Sequence, residues 1–342
     1  VNVATSVFMS GISGSAVADA AALSNTLVPE MVRRGYPRDY AAALTAAASM
    51  IGPVIPPSIV LVFYGALMNV SVAGLFAAGL LPGLLLAAAL MIQNAVMAWR
   101  NDHPRGARPD VPPLTVIIRA APALSLPAII LGGIVLGFTT PTEAAGIAVA
   151  AAAAISFFYG YLEERSVRRV LRAQLAETRH ALTQTTILSG SIFAILFAAG
   201  AFEYLLALQG MPQWLARVVN ELGLGLHAYM AFIMVVLLVA GTVMEAPMAL
   251  VLLVPILVPT AVSLGADPIH LGTVICFNLS LGLISPPVGG CLMVVSAVAN
   301  VPFARLNVAI LPFFFAEIDV LVALVAWPDF VLFVPRLAGL SP

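Results

Sequence analysis

Eight apolar stretches, near 40–71, 74–98, 114–138, 144–162, 182–208, 228–264, 269–300 and 306–326, constrain this 342-residue chain more than any motif does. Each has about the length, roughly 20 residues, that an α-helix needs to cross the hydrocarbon of a bilayer. Backbone groups in hydrocarbon must pair within the protein, which leaves helices and closed barrels as spanning forms. The stretches are long and rich in Ala, Leu and Val, unlike the short alternating segments of a barrel. Charged residues make up 9% of the chain, against 61% hydrophobic. That is too few to clothe a water-facing surface. A net charge of -1 without a long basic run excludes a nucleic-acid partner. Cys276 and Cys291 lie in apolar stretches and read as small buried hydrophobes, so a disulfide scaffold is excluded too. The fold class is an all-α polytopic membrane protein whose solvent is the lipid bilayer.

Short polar joints separate the stretches, and all fifteen basic residues are Arg. Thirteen of them lie in joints at 33–38, 100–119, 165–179 and 305, leaving only Arg217 and Arg336. If those joints are cytoplasmic, the positive-inside rule is obeyed. This orientation requires the segment before Arg33 to enter from the cytoplasm and return, as a re-entrant hairpin. A second hairpin, roughly 229–264, must dip in from the outside. In the joint at 163–181, Val167, Val170, Leu171 and Leu175 recur at helical spacing among arginines, which predicts an interfacial helix beside anionic headgroups. Val1 to Gly11 reads as the middle of a membrane segment, so the chain is expected to be N-terminally truncated.

Opposed hairpins predict an internal repeat. Residues 11–82 and 241–312 align without a gap at an offset of 230, with thirteen identities. Those that carry weight mark backbone breaks: Gly11/Gly241, Pro29/Pro259, Gly52/Gly282, Pro56/Pro286, Pro57/Pro287 and Pro82/Pro312. Reversed entry makes this an inverted-topology repeat, an arrangement used by secondary transporters. Gly52-Pro53-Val54-Ile55-Pro56-Pro57 and Gly282-Leu283-Ile284-Ser285-Pro286-Pro287 sit inside spans otherwise long enough to cross. Prolines remove amide donors and free the carbonyls four residues back, which is tolerated at depth only where they line a cavity. Freed carbonyls suit a cation such as Na+, and half-helix N-termini suit a carboxylate.

Each break has a polar hairpin tip as companion. The first tip holds Ser13, Ser15 and Asp19, the second Thr242 and Glu245. Asp19 and Glu245 are ionisable groups at depth, which are costly and functional by default. Thr45, Ser49 and Asn278 precede the breaks and supply neutral oxygens. The cation is expected among hydroxyl, amide and backbone oxygens (Ser15, Thr45, Gly52, Thr242, Asn278 and Gly282), with Asp19 and Glu245 bracing the tips. Alternatively, the carboxylate pair carries protons. Glu143 reads as a first-turn acid of a helix opening at Pro141. Glu203, Glu317 and Asp319 read as interfacial, as do Trp99, Trp214 and Trp327. His103, His180, His227 and His270 are scattered without metal-ligand spacing, so an intramembrane hydrolase is the remote reading. A passive channel would use the same polar residues.

The runs Gly14–Leu23, Ala42–Ala46 with Ile51–Ser58, Pro141–Ala145, and Asp267–His270 with Gly282–Gly289 resemble the large membrane subunit of tripartite ATP-independent periplasmic (TRAP) transporters, within the ion-transporter superfamily. The resemblance covers nearly the whole chain. It implies a non-enzymatic, elevator-type carrier, multi-pass in the bacterial inner membrane, without a cofactor and with Na+ as coupling ion. It also implies a small organic acid as substrate, a periplasmic binding protein that delivers it and a small four-helix membrane subunit alongside. A stand-alone anion symporter of the same superfamily is the sister reading. Residues 1–82 and 229–312 would form the transport domain. Residues 83–228 would be mainly scaffold and 313–342 the end of the last helix and a tail. By position, Ser13–Asp19, Thr242–Glu245, Gly52–Ser58 and Gly282–Pro287 would frame the ion and substrate sites. Family members often carry Asp where this chain has Glu245.

Overall fold

The computed structural model describes residues 1–104 and 112–340, and among them every regular element is helical. The Arg105 and Arg108 of the second basic joint, and the side chains of Arg119 and Glu203, lie outside the described set. The chain divides into two compact units, Val1–Arg108 with Ala207–Pro342, and Pro109–Leu206.

The first unit opens with a hairpin of α1 (Asn2–Ser13) and α2 (Ala16–Arg33). Gly14 turns the chain at φ 62, in the left-handed region, and Ser15 caps α2 by accepting the Ala18 N–H. α3 (Arg38–Ala48) follows, passes through a single 3-10 turn at Ser49–Ile51 and gives way to irregular backbone until α4 (Ile59–Met68). The run Ala41 to Ala48 is wholly buried, which its small side chains allow in a helix surrounded by others. α5 (Val72–Arg100) then crosses in one piece of 29 residues.

The second unit contains α6 (Pro113–Val135), α7 (Pro141–Glu164) and α8 (Val167–Leu208), with α6 packed on α7. Thr140 and Glu143 form a reciprocal capping box at the start of α7, each satisfying the other's backbone N–H. The Arg-rich segment forms no separate interfacial element. α8 runs unbroken for 42 residues, about 63 Å at 1.5 Å per residue, or about twice the hydrocarbon thickness. Its apolar half and its Arg-rich half are one rod because no Pro or capping turn separates them.

Back in the first unit come α9 (Met211–Glu221), α10 (Leu226–Val243), α11 (Ala246–Ser263), α12 (Pro268–Gly282), α13 (Gly290–Ala299), α14 (Phe303–Ala326) and α15 (Pro328–Leu337). Two of these are not legible in the sequence pattern. α9 falls inside an expected joint, and α15 lies in the expected tail, where Val331 and Leu332 are buried and the helix packs on α5.

Among the described residues, six helices are long and apolar enough to cross a membrane: Val72–Arg100, Pro141–Leu162, Val167–Leu206, Leu226–Val243, Ala246–Ser263 and Phe303–Ala326. α3 with α4, and α12 with α13, are shorter pieces because each pair is interrupted. Trp99, Trp214 and Trp327 are exposed.

Glu317 departs from its expected interfacial place. It lies well inside α14 at 1% exposure, on the buried stripe Leu306, Ile310, Phe313, Val320 and Leu324, while Asp319 is exposed. The sequence pattern masks this because one acid interrupts an otherwise apolar face that continues on both sides.

Core contacts within this unit depend on absent side chains. A Cβ on Gly272 would run into the ring of Tyr64, whose hydroxyl donates to the Pro268 carbonyl at 3.0 Å. Gly146 of α7 meets nothing within 4 Å. We expect Gly272→Ala to lower stability by about 1–3 kcal/mol through overpacking, and Gly146→Ala to be neutral or mildly stabilising. Thermal unfolding of both variants in detergent checks this.

Candidate functional site: hairpin tips on helix breaks

Both breaks begin where a helix runs into prolines. After α3, the backbone folds over itself, with the Val54 and Ile55 amides bonding to the Ile51 carbonyl. Ser58 closes the passage, its hydroxyl donating to the Pro53 carbonyl at 2.5 Å and accepting the Leu61 N–H as cap of α4. After α12, the Ser285 amide reaches the Gly282 carbonyl and the Cys291 amide reaches back to the Leu283 carbonyl at 2.9 Å. Ser285 is buried and its hydroxyl donates locally to the Pro286 carbonyl. Pro56-Pro57 and Pro286-Pro287 are both cis.

Each hairpin tip sits on a break. The Gly14 carbonyl accepts the Ile59 N–H at 3.4 Å, and a Cβ on Gly14 would strike the Pro57 carbonyl oxygen. Gly241, at the second tip, meets the Leu279 carbonyl and the Cα of Gly282, so two glycines abut where α10 crosses the end of α12. The second arms cross over: α2 packs on α13, and α11 packs on α4. Both tips and both breaks therefore belong to one assembly inside the first unit. α5 backs the first break with Gly79, beneath the Val54 carbonyl, and Gly83, beneath the Ile55 side chain.

The predicted polar residues fall into place unevenly. Ser13 donates to Asp19 Oδ1 at 2.5 Å, and its hydroxyl also accepts the Ser15 N–H. Asp19 is 1% exposed; its other oxygen, Oδ2, lacks a hydrogen-bond partner and lies where a Cβ of Gly52 would be. The first tip, its carboxylate and the first break are thus in direct contact. The second tip differs. Thr242 donates to the Val239 carbonyl of its own helix, and Glu245, capping position of α11, is exposed and makes no capping hydrogen bond. The bracing expected of both carboxylates is performed by Asp19 alone, because Ser13 has Val243 as its counterpart and no hydroxyl meets Glu245.

Thr45 and Asn278 tie the breaks to the first arms of their hairpins. Thr45 is fully buried, donates to the Ala41 carbonyl and accepts from Asn2 Nδ2 at 2.8 Å. Asn278, also fully buried, donates from Nδ2 to the Met234 carbonyl of α10 at 2.7 Å. Ser49 donates to the Ala46 carbonyl. Among the buried polar atoms without partners in the described residues are Asn2 Oδ1, Asp19 Oδ2 and Asn278 Oδ1. Such atoms are costly unless something pairs with them. Asn2 escapes a reading of the sequence because nothing in its neighbourhood sets it apart. Gly79 and Gly83 escape it too, although their spacing of four is a known sign of close helix approach.

Chemically, the site offers neutral oxygens, one buried carboxylate and several helix N-termini. Among the described residues no group of three or more His, Cys, Asp or Glu is placed to hold a metal ion. A donor set of hydroxyl, amide and carbonyl oxygens matches a hard cation rather than a soft transition metal.

Residues 1–330 match the family model of the tripartite ATP-independent periplasmic transporter, DctM component. The chain is 35% identical over 340 residues to the sialic acid TRAP transporter large permease protein SiaM of Vibrio cholerae, covering 98% of this chain and 77% of that one. It is 36% identical over 336 residues to the C4-dicarboxylate TRAP transporter large permease protein DctM of Pseudomonas aeruginosa, covering 98% and 76%. A third relative, the 2,3-diketo-L-gulonate TRAP transporter large permease protein YiaN of Escherichia coli, is 32% identical over 333 residues, covering 97% and 76%. A helical, multi-pass chain with these tips and breaks and this degree of identity belongs to the DctM family of TRAP transporter large permeases, which are transporters and not enzymes.

Proposed function

We propose that this chain is the membrane carrier of a Na+-coupled uptake system for a small organic acid. It lies in the bacterial inner membrane beside a small four-helix subunit and takes its substrate from a periplasmic binding protein. The observation that carries the reading is the seating of both hairpin tips on both helix breaks, with unpartnered buried oxygens at each. Na+ is held there by neutral and backbone oxygens, with Asp19 supplying negative charge against the first break. The three relatives are named for sialic acid, C4-dicarboxylates and 2,3-diketo-L-gulonate, all carboxylates. The starts of α2, α11 and α13 carry Asp19, Glu245 and Cys291. Helix N-termini present a positive field suited to an anion.

An inverted repeat with elevator motion completes the proposal. Its support is the recurrence of helix bounds. α1 and α10 end 230 residues apart, and α2 and α11 share both bounds at that offset. From α4 and α13 onward the offset is 231, and Asn69 and Asn300 end those helices in the same left-handed conformation, at φ 53 and 51. One extra residue therefore enters just after Pro287, which moves Leu81/Leu311 and Pro82/Pro312 one place out of the ungapped register. The Arg distribution, read through the positive-inside rule, supports opposite entry of the hairpins.

Uptake by the reconstituted complete transporter should follow an imposed Na+ gradient and require the loaded binding protein. Equal uptake with and without the gradient would overturn the coupling. Asn278→Ala and Thr45→Ala, which cut the ties between breaks and hairpins, should each raise the Na+ concentration for half-maximal uptake by about tenfold, equivalent to about 1.4 kcal/mol. Asn220→Ala in α9 should leave it unchanged. Equal effects of all three would discredit the placement of the ion.

A further inference from the structure

The start of α10, the turn between α11 and α12, the end of α14 and the helix α15 meet at one face of the first unit. Together they surround a cavity of about 230 Å3, at the end of α12 remote from its break. Part of the wall is apolar, formed by Met230, Val325 and Leu332, but four polar side chains also line it: His227, Asp267, His270 and Arg336. At roughly 30 Å3 for a water, the cavity has room for a group of about seven or eight non-hydrogen atoms. The proposed ion and substrate sites make no use of it.

His270 is the buried member of the four, at 4% exposure. Its Nε2 meets the Leu324 carbonyl at 2.9 Å, and because a carbonyl only accepts, the ring hydrogen belongs on Nε2. Nδ1 of the neutral ring is then an acceptor. It has no hydrogen-bond partner among the described residues and is not sealed in the core, so it opens on the cavity. Asp267 caps α12 with Oδ1, which accepts the Ile269 and His270 amides at 2.8 and 3.0 Å, and Oδ2 is left over. The inner part of the site thus offers two acceptors, one of them anionic. Arg336 offers the opposite chemistry. It pairs with Asp329 through one nitrogen at 2.6 Å, at the surface, and a guanidinium has five N–H donors, so others are left for an anion. His227 is exposed beside it, at the start of α10, which no side chain caps.

A small group with an ammonium at one end and a phosphate at the other matches this pattern, and the surroundings indicate what carries it. Trp327 ends α14 with its indole exposed, 5.4 Å from the ring of Phe330 between centroids. On α15, Val331 and Leu332 are buried while Phe333 and Leu337 are exposed on the other side. An exposed indole and an outward apolar face at the end of a spanning helix mark the headgroup level of a bilayer. We propose that the cavity binds the headgroup of phosphatidylethanolamine. The ammonium donates to Asp267 Oδ2 and His270 Nδ1, the phosphate accepts from Arg336, and the acyl chains follow the exposed face of α15. Phosphatidylcholine has no N–H on its ammonium and phosphatidylglycerol has no cation, so neither satisfies the two acceptors. A lipid so held ties the base of the second hairpin to the end of α14.

The probe is phosphatidylethanolamine with a diazirine near the top of one acyl chain. The complete transporter in detergent is equilibrated with it and irradiated, and the labelled peptides are identified by mass spectrometry. The segment Trp327–Leu337 should be labelled, and unlabelled phosphatidylethanolamine should suppress this at about tenfold lower concentration than phosphatidylcholine or phosphatidylglycerol. Asp267→Asn keeps a capping oxygen for α12 but removes the charge. This variant and Arg336→Gln should each reduce labelling of the segment by about fivefold. Asp319→Asn, at an exposed acid of α14, should leave it unchanged. Should a site variant not fold, the headgroup preference of the wild type decides alone. Equal competition by the three lipids overturns the site, and so does undiminished labelling in both folded site variants. Soluble phosphoethanolamine competing as well as the lipid overturns the membrane as the source of the ligand.

Discussion

Backbone polar groups released by the Pro-Pro interruptions have to find partners where water and lipid supply few. Helix α3 ends in a 3-10 turn, and the following passage satisfies part of its own backbone through the Ile51 carbonyl and the Ser58 hydroxyl. What remains, notably the Val54 and Pro57 carbonyls, is covered by residues that lack a side chain. Gly79 of α5 lies under the first, and Gly14 of the hairpin tip lies over the second. An unpaired group buried in hydrocarbon costs several kcal/mol in rough terms, so these coverings are conditions for the fold. The glycines, the hairpin lengths and the unbroken run of α5 all serve that one requirement.

Because α2 rests on α13 and α11 on α4, neither half encloses its own site unaided. The two halves are nonetheless chemically unequal. At the first tip Ser13, Asp19 and Gly52 form a continuous chain of contacts, whereas at the second, Gly241 meets Gly282 directly and Glu245 is left exposed. In the proposed carrier, the contacted first tip suits the holding of an ion and the exposed Glu245 at the second suits the admission of a larger solute.

Much of this is legible in the sequence because hydrocarbon leaves few options. Long apolar runs dictate helices, and the paired prolines fall inside both interruptions. Helix pairs stand where Arg placement leads one to expect hairpins, and Asp19 stands out as an acid in an apolar stretch. What escapes depends on packing between distant segments. α15 reads as a tail until α5 provides a partner for Val331 and Leu332. Glu317 reads as an interfacial acid until the face of α14 that it shares is seen to be covered. The bond between Asn2 and Thr45 joins residues 43 apart, and no local pattern announces it. The continuity of α8 escapes for the opposite reason, since a change of composition along a helix need not change its geometry.

Charge placement draws these strands together. Among the described side chains every Arg is exposed, and all four ion pairs lie at the surface between exposed or half-exposed partners. Asp19 and Glu317 are the buried acids, and neither meets a basic side chain. A protein of such low dielectric cannot hold two uncompensated anions, and it supplies no fixed positive group in their reach. Either the acids stay neutral, or the compensation is mobile. In the proposed carrier, a cation that arrives from one aqueous phase and departs to the other supplies it at Asp19. Under that proposal, a fixed salt bridge at Asp19 would make the fold indifferent to the ion.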